Sequence, residues 1–542
     1  MTSSTEPMPS MTPTMLDGDL DPRRWWTLAV LCLSVVIVFV GNSSLNVAIP
    51  TLSEHLHASS SQLQWVVAVY SLVFAGLLFS AGSIGDRFGR KGALQVGLLI
   101  FLAGAALASA SSTIGQLIAC RALMGAGAAL IMPSTLSILV NVFPPHERTK
   151  AIAFWAATTG GAGAIGPVVS GYLLGHFWYG SVFLVNVPII TLALVSGWFL
   201  VPRSKDPQEA ALDPLGALLS TIGIASLVYG LIQGPERGWG SAATIGAFAV
   251  ALVILAGFVA WEMRAEEPML DMSLFRNAAF SAGSGGMTMI FLAMFGVMFL
   301  ITQYLQLVLG YDPLAAALRV LPMAVIMIIV STQTPRLAGL FGAHRTVAAG
   351  MVLVAIGMIM FRGLSTNTSY LYILACIIPL TAGIAMAMSP MTASIMSAVP
   401  ARRAGTGSAM NDATRELGAA LGVAVLGSLA ASQYAKSIDS HIAIIPSSAR
   451  AGVRSSLASA LDQAKLLSAA DARSVSSAAQ HAFVDGIHFA VTVGAVLAAA
   501  AAIVVYRFLP HQANHNTAIE SAEVTAELGV AGAMPIYATE VD

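Results

Sequence analysis

Residues 82 to 91 read Gly-Ser-Ile-Gly-Asp-Arg-Phe-Gly-Arg-Lys, a short charged turn between two long apolar runs. The run from about residue 62 to 81 and the run from about 93 to 112 are each long enough to cross a bilayer as a helix. Because the turn is so short, the two helices are expected to lie side by side and antiparallel. Basic side chains outnumber acidic ones in the turn, which indicates a cytoplasmic loop.

The composition indicates a membrane protein. Hydrophobic residues make up 56% of the 542 positions and charged residues only 10%, whereas a soluble domain carries roughly 25% charged residues. A net charge of −1 argues against a nucleic-acid partner. The cysteines fall inside apolar spans at separations that suit neither a metal site nor a disulfide framework.

Apolar runs of about 20 residues predict roughly fourteen membrane helices. They fall near residues 25–49, 62–82, 93–112, 114–142, 151–174, 181–201, 214–234, 241–261, 278–305, 313–333, 345–362, 370–390, 405–431 and 487–508. Arg23 and Arg24 keep the N-terminus in the cytoplasm, and an even number of helices puts the C-terminus on the same side. Most basic residues then fall in cytoplasmic segments, whereas the short outer loops hold only Arg237 and Arg362.

Polar stretches divide the chain into five parts. Residues 1–24 are expected to form a disordered cytoplasmic tail, and 509–542 an acidic cytoplasmic tail. Six predicted helices fill 25–201 and six fill 278–508. The linker between them, 202–277, holds two further helices.

The stretch from 433 to 486 is predicted to be a long extracytoplasmic loop. Its apolar residues recur at helical spacing, which suggests an amphipathic helix on the membrane surface or over the outer mouth of the protein. These residues are Val453, Leu457, Leu461, Ala464 and Leu467. A solvated loop rich in alanine and serine is the alternative.

The turn at 82–91 resembles the signature loop between the second and third helices of the major facilitator superfamily of secondary transporters, Gly-x-x-x-Asp-Arg-x-Gly-Arg-Lys. Every fixed position of that pattern is filled. The resemblance implies an all-α polytopic membrane fold of two six-helix bundles, with the linker helices as an insertion. Fourteen helices resemble the drug:proton antiporter branch. Phe341-Gly342-Ala343-His344-Arg345 weakly echoes the turn in the second half, with Gly339 at the acidic position.

We interpret the turn as a conformational latch formed by Gly82, Asp86, Arg87, Gly89, Arg90 and Lys91. Asp86 can face the positive N-terminus of a neighbouring helix. The basic side chains can pair with acids across the seam, meaning the interface between the two bundles, in one conformation only. The alternative is a plain cytoplasmic anchor.

Arg121 lies inside an apolar run, where a charge costs at least ~2.5–3.5 kcal/mol and needs a partner or a wet cavity. Residues 117–127 resemble the superfamily's fourth-helix motif, which implies a role for Arg121 in proton transfer. Met124 stands where the family commonly has glutamine. The alternative is an arginine that extends to the outer membrane interface.

Residues 160–171 are rich in glycine and alanine, which lets helices touch at the backbone, and Pro167 kinks the helix. The stretch resembles the fifth-helix motif of antiporters, carried here by Gly163, Gly166, Pro167 and Gly171. Ordinary small-residue packing is the alternative.

Asp412, Arg415 and Glu416 lie within about one turn of a predicted helix. A carboxyl group beside an arginine near a cavity can bind and release a proton as its surroundings alternate between wet and dry. We therefore assign these residues to proton coupling, together with Arg121. A self-neutralising structural triplet is the equally weighted alternative.

The first helix departs from the antiporter pattern. Its end resembles the sequence Asp-x-Thr-x-x-Asn-Val-Ala-x-Pro of drug antiporters, but Gly41 occupies the aspartate position. That aspartate is a favoured proton site in the family. Coupling here must then use another group or a different stoichiometry, or be absent.

The substrate pocket is expected near the midplane, between the bundles. The candidate lining residues are aromatic or amide side chains: Asn42, Asn46, Trp65, Tyr70, Trp155, Phe295, Phe299, Gln303 and Tyr304. The shortage of buried acids suits lipophilic substrates that are neutral, weakly acidic or singly charged.

We therefore predict a monomeric multi-pass exporter of the cytoplasmic membrane, whose partners are small lipophilic substrates and the bilayer. It would use no cofactor, and a proton gradient would supply the energy, since the chain has no nucleotide-binding loop. An uncoupled or lipid-directed exporter is the main alternative. A lipid-modifying enzyme ranks far lower, because the sequence shows no paired catalytic constellation.

Overall fold

The computed structural model describes residues 23–204, 213–266, 268, 270–399, 404–439 and 450–509. Within these ranges all regular structure is helical, as predicted. The predictions for the two tails fall almost wholly outside the described residues.

The first half is built from α1 to α7. These helices are α1 Arg24–Leu56, α2 Ser60–Phe88, α3 Arg90–Ser109, α4 Ile114–Val142, α5 Pro145–His176, α6 Ser181–Leu184 and α7 Asn186–Leu200. Ser59 and Thr113 begin α2 and α4 with capping boxes, in which a hydroxyl and a glutamine satisfy the free N–H groups of the first turn. One predicted span, 181–201, is divided into α6 and α7.

The linker contributes two helices, α8 Pro214–Arg237 and α9 Ala242–Glu262. The second half follows with α10 Ala278–Gln303, α11 Pro313–Val320, α12 Pro322–Phe341, α13 Ala343–Met360, α14 Tyr370–Ser397, α15 Ala404–Asp439, α16 Arg450–Ser455, α17 Leu457–Ala464 and α18 Ala469–Phe508. A wider turn at Tyr304–Val308 extends α10. Pro322 begins α12, which divides the predicted span 313–333 between α11 and α12.

Thirteen helical stretches of the described residues are long and apolar enough to cross a membrane. Each falls at a predicted span, and α5, 32 residues long, covers the remaining one at 151–174. Large apolar side chains such as Leu252 and Val253 of α9 are about 70% exposed (72% and 70%), which fits a surface in contact with lipid. The count of fourteen spans and the cytoplasmic position of both termini remain predictions.

The region from 433 to 486 differs from the predicted loop. Helix α15 continues to Asp439, and α18 begins at Ala469, 18 residues before the predicted start of the last span at 487. The amphipathic pattern corresponds to two short helices, α16 and α17, with Val453, Leu457 and Ala464 buried. The solvated-loop alternative is therefore wrong for the described part of this segment.

The two halves repeat one local geometry. Gly89 joins α2 to α3 with a φ of +110°, and Gly342 joins α12 to α13 with a φ of +84°. Residues with a side chain rarely adopt such angles, so glycine allows each single-residue turn. The weak sequence echo around Gly342 thus has a structural counterpart.

Helix α8 lies across the seam. Its Val228 and Ile232 share an apolar cluster with Ala68 of α2 and with Ala420 and Ala424 of α15. The insertion therefore contacts both halves rather than one.

We name the two ends of the molecule after α1, which begins at the Arg24 face and finishes at the Leu56 face. The Arg24 guanidinium pairs with Glu147 at 2.7 Å, so the start of α5 lies at the Arg24 face. The His55 ring lies 5.8 Å from that of Tyr179, so the α5–α6 connection lies at the Leu56 face.

Candidate functional site

The charged turn after α2 packs inside the first half. The amide of Arg90 donates to the carbonyl of Ser204 at 3.0 Å. The Lys91 ammonium donates to the carbonyl of Trp198 at 2.7 Å. Trp198 lies in the last turn of α7, so this cation is placed at the negative end of a helix dipole. Lys91 thus binds a helix end in its own half, where we expected an acid across the seam.

The other residues of the turn lie at the end of α2. Gly82 lies beside α4, where an added Cβ would come within 3.8 Å of Pro133. The Arg87 guanidinium lies 5.6 Å from the centre of the Phe88 ring. The backbone of Asp86 is helical, and its side chain lies outside what the structure describes. The latch remains a prediction.

Arg121 is the largest fully buried side chain of the described residues. Its Nε donates to the carbonyl of Val66 at 3.1 Å, one terminal nitrogen to the carbonyl of Gly41 at 3.2 Å, and the other to Oδ1 of Asn42 at 3.1 Å. The ring of Tyr70 lies 4.4 Å from the guanidinium carbon. The side chain is therefore held inside the bundle, and the alternative in which it extends to the membrane interface is wrong.

The cage around Arg121 is made of neutral groups. Hydrogen bonds to a charged donor contribute about 1.5–3 kcal/mol each, and an aromatic face adds roughly 0.5–2 kcal/mol. These interactions offset the cost of placing the cation at membrane depth. In the part of the chain that the structure describes, no carboxylate lies within ion-pair distance of Arg121.

The two departures from the antiporter pattern are neighbours. A Cβ added to Gly41 would lie 3.6 Å from the methyl carbon of Met124 and 3.1 Å from Cζ of Phe101. Where the resemblance leads one to expect an aspartate beside a glutamine, this chain has a glycine, a methionine and an aromatic ring. The aspartate expected at position 41 and the glutamine expected at position 124 are therefore both replaced by apolar residues at one place in the structure.

The 412–416 patch on α15 is less compact than its sequence indicates. Arg415 lies 3.7 Å from Asp412, and their side chains are 24% and 23% exposed. Arg415 also approaches the hydroxyl of Thr392 at 3.4 Å and the Phe291 ring at 5.7 Å. Oε2 of Glu416 is buried and has no hydrogen-bond partner among the described residues. These residues do not form a closed self-neutralising triplet, because Glu416 is left incompletely satisfied.

Glu416 reaches across the seam. Its carboxylate lies beside the hydroxyl of Ser71, which belongs to α2 in the first half. Tyr70 directly precedes Ser71 in α2, and the Arg121 guanidinium lies over the Tyr70 ring. The Glu416 charge acts on both Tyr70 and Arg121. The acid predicted in the second half and the arginine predicted in the first thus form one electrostatic unit, connected through α2.

Sequence reasoning missed the small polar residues that complete this unit. Ser71 faces Glu416, and Thr392 of α14 accepts from Arg415. Gln64 of α2 accepts a hydrogen bond from Ser428 of α15 at 3.0 Å, and both residues are buried. The available signal was an isolated polar residue within an apolar span, which is weak when read one position at a time.

The antiporter motif joins α5 to α1. Ser44 donates to the carbonyl of Gly166 at 3.0 Å. A Cβ on Gly166 would lie 2.0 Å from the hydroxyl oxygen of Ser43, so the two helices meet at the backbone there. Pro167 is buried inside α5.

The same motif reaches the second half at Gly171. A Cβ there would lie 2.7 Å from Cα of Leu314 in α11, closer than side chains tolerate. Gly163, two turns earlier on α5, has open space around it. One glycine of the motif therefore belongs to the seam, whereas a Cβ on another would meet no described atom within 4 Å.

Contacts across the seam lie towards the Leu56 face. The Gln306 amide donates to the carbonyl of Val47 at 2.9 Å. The buried Gln64–Ser428 hydrogen bond and the approach of Gly171 to Leu314 lie on the same side of the molecule. In this conformation the two halves are therefore held together at the Leu56 face.

Two predicted cavity residues lie elsewhere. Trp65 is half-buried, with its ring 6.3 Å from that of Tyr229 on α8. Tyr70 is fully buried in the core of the first half, where its hydroxyl donates to the carbonyl of Val38. Tyr70 therefore supports Arg121 rather than lining a cavity.

The remaining cavity candidates divide by burial. The Asn42 side chain accepts a hydrogen bond from Arg121, whereas Oδ1 of Asn46 is buried and has no partner in the part of the chain that the structure describes. Half-buried side chains that keep some free surface are Trp155 and Phe295. Those buried in the second half are Phe299, Gln303 and Tyr304. Tyr304 donates to the carbonyl of Ser365 at 2.6 Å, and Gln303 donates to its own helix.

Among the described residues, no group of three or more His, Cys, Asp and Glu side chains is arranged to hold a metal ion.

Comparison with known proteins connects this arrangement to a family. The profile described as Major Facilitator Superfamily matches residues 31–423. The multidrug efflux pump LfrA of Mycolicibacterium smegmatis is 37% identical, over 89% of this chain and 96% of its own length. The tetracenomycin C resistance and export protein of Streptomyces glaucescens is 30% identical, over 93% of this chain and 96% of its own length.

A solved structure has the same fold. A bacterial homologue of the human lysosomal transporter Spinster, in an inward-facing and unoccupied conformation, aligns with a TM-score of 0.64 over 90% of this chain and 98% of that chain. At 16% identity the likeness concerns the fold alone.

Proposed function

The chain belongs to the major facilitator superfamily, and on that premise we propose that it exports lipophilic compounds from the cell in exchange for protons. The family and the relatives are transporters rather than enzymes, and the chain is a multi-pass protein of the cell membrane. The matched relatives are a multidrug efflux pump and an antibiotic export protein, which supports drug export here.

One observation supports proton coupling above the others: Glu416 of the second half reaches Ser71 of the first and acts electrostatically on the caged Arg121. A carboxylate can be neutralised by a proton, whereas an arginine in a protein keeps its charge. Protonation of Glu416 would remove the attraction between the two halves at this point. Coupling then follows, because the proton changes how tightly the halves hold each other.

Alternating access supplies the transport step in this proposal. The observed conformation is closed at the Leu56 face by contacts such as Gln306 with Val47 and Gly171 with Leu314. Asp412 lies about one turn nearer to the Arg24 face than Glu416, and the partial exposure of Asp412 and Arg415 offers a route for protons from that side. Opening the Leu56 face would expose Glu416 to the opposite side.

We propose substrates that are lipophilic and carry at most one charge. The half-buried Trp155 and Phe295 offer apolar contact area, and Asn46 offers an amide oxygen that accepts no hydrogen bond from any described residue. Glu416 is a single carboxylate, and one negative charge is a poor receptor for a multiply charged cation. Specificity would then come from shape and apolar area more than from ion pairing.

The test uses purified protein in proteoliposomes with an imposed pH gradient. A panel of amphiphilic dyes with charges of 0, +1 and +2 is loaded, and transport is followed with and without the gradient. We expect gradient-dependent movement of neutral and singly charged dyes. Binding of these dyes without any gradient-dependent movement would overturn the coupling.

An uncoupled exporter is the second candidate, and one observation favours it. Gly41 and Met124, in contact at the edge of the Arg121 cage, replace the polar pair that the resemblance leads one to expect. In such a protein, transport by the Glu416→Gln and Asp412→Asn variants would keep the parent's pH dependence. Loss of that dependence would exclude this candidate.

A further inference from the structure

Helices α16 and α17, which precede α18, form a structured cap on the second half. The hydroxyl of Tyr434 in α15 donates to the carbonyl of Val453 in α16 at 2.7 Å. Arg454 of α16 pairs with Asp439 at the end of α15 at 2.8 Å. Leu457 and Ala460 of α17 are buried. The cap, α16 and α17, is therefore attached to the second half by packing as well as by covalent connection.

The same cap touches the first half at the end of α1. The Lys465 ammonium, directly after α17, forms an ion pair with Glu54 in the last turn of α1 and lies 3.4 Å from Asp462. Asp462 lies 3.8 Å from Nδ1 of His57, the residue that ends α1 with a φ of 49°. Lys465 also lies near the negative C-terminal end of the α1 dipole. Charged groups of the cap thus meet charged groups of the opposite half.

We propose that the cap is an outer gate of the transporter and that the Glu54–Lys465 pair locks it, forming only while the Leu56 face is closed. The proposal rests on the alternating access proposed above. Because the cap moves with the second half and Glu54 belongs to the first, any opening at this face must separate the two side chains. The pair is therefore a contact of one state and not a permanent brace.

The exposure of the pair suits a lock that must open in every cycle. The side chains of Glu54 and Lys465 are 53% and 61% exposed, so water can solvate both charges when they part. Exposed ion pairs are weak, and each shifts a two-state equilibrium by about fivefold or less. A buried pair would hold the gate far more tightly. The hydrogen bond with Glu54 raises the pKa of Lys465, so the ammonium group stays charged throughout the physiological pH range.

The chain offers a matched control in the Asp439–Arg454 pair. It lies in the same region, and its side chains are 37% and 58% exposed, comparable with the lock. Both partners belong to the second half, so opening of the Leu56 face does not separate them. Reversal of this pair should leave the gate unaffected.

The experiment measures access to the seam and does not require transport. Cys32, Cys120 and Cys376 are replaced by alanine, and Ser428→Cys, buried against Gln64, provides one reporter thiol. All proteins also carry Asp462→Asn, so that an acidic residue at position 465 does not face a second carboxylate. A membrane-impermeant thiol reagent is then added at the Leu56 face.

We expect Glu54→Lys and Lys465→Glu each to speed labelling by about fivefold, and the combined reversal to restore the slow rate. The Asp439→Lys and Arg454→Glu variants should label like the parent. The lock is overturned if the combined reversal labels as fast as the single variants, or if the control pair has the same effect. If the variants label as expected but the protein shows no gradient-driven transport, the proposed proton coupling fails and the gate stands. If the protein transports normally but the variants label at the parent's rate, the gate fails and the proposed function stands.

Discussion

The two halves of the molecule differ in how completely their charged side chains inside the membrane helices are hydrogen-bonded. In the first half, Arg121 is completely enclosed, and every hydrogen bond it donates goes to a neutral oxygen. In the second half, Asp412 and Glu416 are carboxylates that are only loosely or incompletely satisfied. The difference indicates a division of roles: the first half holds a fixed charge, and the second holds the groups that can change theirs. The predictions below test that division.

The strongest test removes the fixed charge. Arg121→Ala removes a charged donor from the oxygens of Val66, Gly41 and Asn42 and leaves buried Oδ1 of Asn42 without that partner, at a cost of about 1–3 kcal/mol. We expect transport to fall at least about 100-fold, together with a clear drop in thermal stability in detergent. Arg121→Lys should keep more stability than activity, because an ammonium cannot reproduce the fork of donors.

Arg319 provides the control for this test. It is another partly buried arginine, with its guanidinium 3.7 Å from the centre of the Tyr311 ring, and it lies outside the seam charges. Arg319→Lys should lower stability more than transport per folded molecule. Equal losses of transport per folded molecule in the arginine variants at 121 and 319 would contradict a special role for Arg121.

The next test removes the variable charge. Glu416→Gln keeps the shape of the side chain but cannot exchange a proton, so we expect gradient-driven transport to fall by about 10- to 100-fold while substrate binding persists. Asp412→Asn should lose only a few-fold, because the interactions of Asp412 are with Arg415 and Asn411 of its own helix. Counterflow exchange of dye without a pH gradient should survive in both variants. If both variants keep a normal response to the gradient, the acids do not carry the proton.

A smaller effect on transport is expected at the uncharged contact between the two halves, where Gly171 of α5 meets α11. Gly171→Ala places a methyl group 2.7 Å from the α11 backbone, which would push the Leu56 face apart and slow transport several-fold. Gly163→Ala is the matched control, because the space around that glycine is open. Transport rates at saturating substrate compare the two. Equal rates for the two variants would show that the Gly171 contact does not limit closure.

The smallest effect is expected from a variant that adds an acidic residue at position 41 of the first half. Gly41→Asp alone should destabilise the protein by about 1–3 kcal/mol, because its Cβ meets Phe101. Combination with Phe101→Leu should relieve that contact at a smaller cost than truncation to alanine, and it places a carboxylate beside the Arg121 cage. We then expect more protons per substrate, measured from the reversal potential of transport. An unchanged ratio would show that the second half alone sets the stoichiometry.

Much of this organisation was readable from the sequence, for definite physical reasons. Hydropathy placed the spans because backbone groups in lipid must be satisfied within a helix. The cost of a buried charge singled out Arg121 and Glu416. The turn at Gly89 followed from its motif.

What could not be read was the rotation of each helix and its polar surroundings. Trp65 faces α8 and Tyr70 faces Arg121, because an apolar span has no polar face from which its orientation can be deduced. The early start of α18 was missed because Arg473, Gln480 and Asp485 lower the hydropathy of a segment that is nevertheless helical. Its many alanines were the overlooked signal.

The position of α8 has a mechanical consequence. The backbone of α2 at Gly76 comes so close to α8 that an added Cβ would lie 2.3 Å from the Thr221 hydroxyl. Towards α15, α8 meets the small, smooth surface of Ala420 and Ala424. When the two halves rock, α8 should therefore move with α2 and slide along α15. It would then keep the interface covered, so that lipid tails do not enter between the halves. A cross-link between α8 and α2 should be harmless, whereas one between α8 and α15 should stall the cycle.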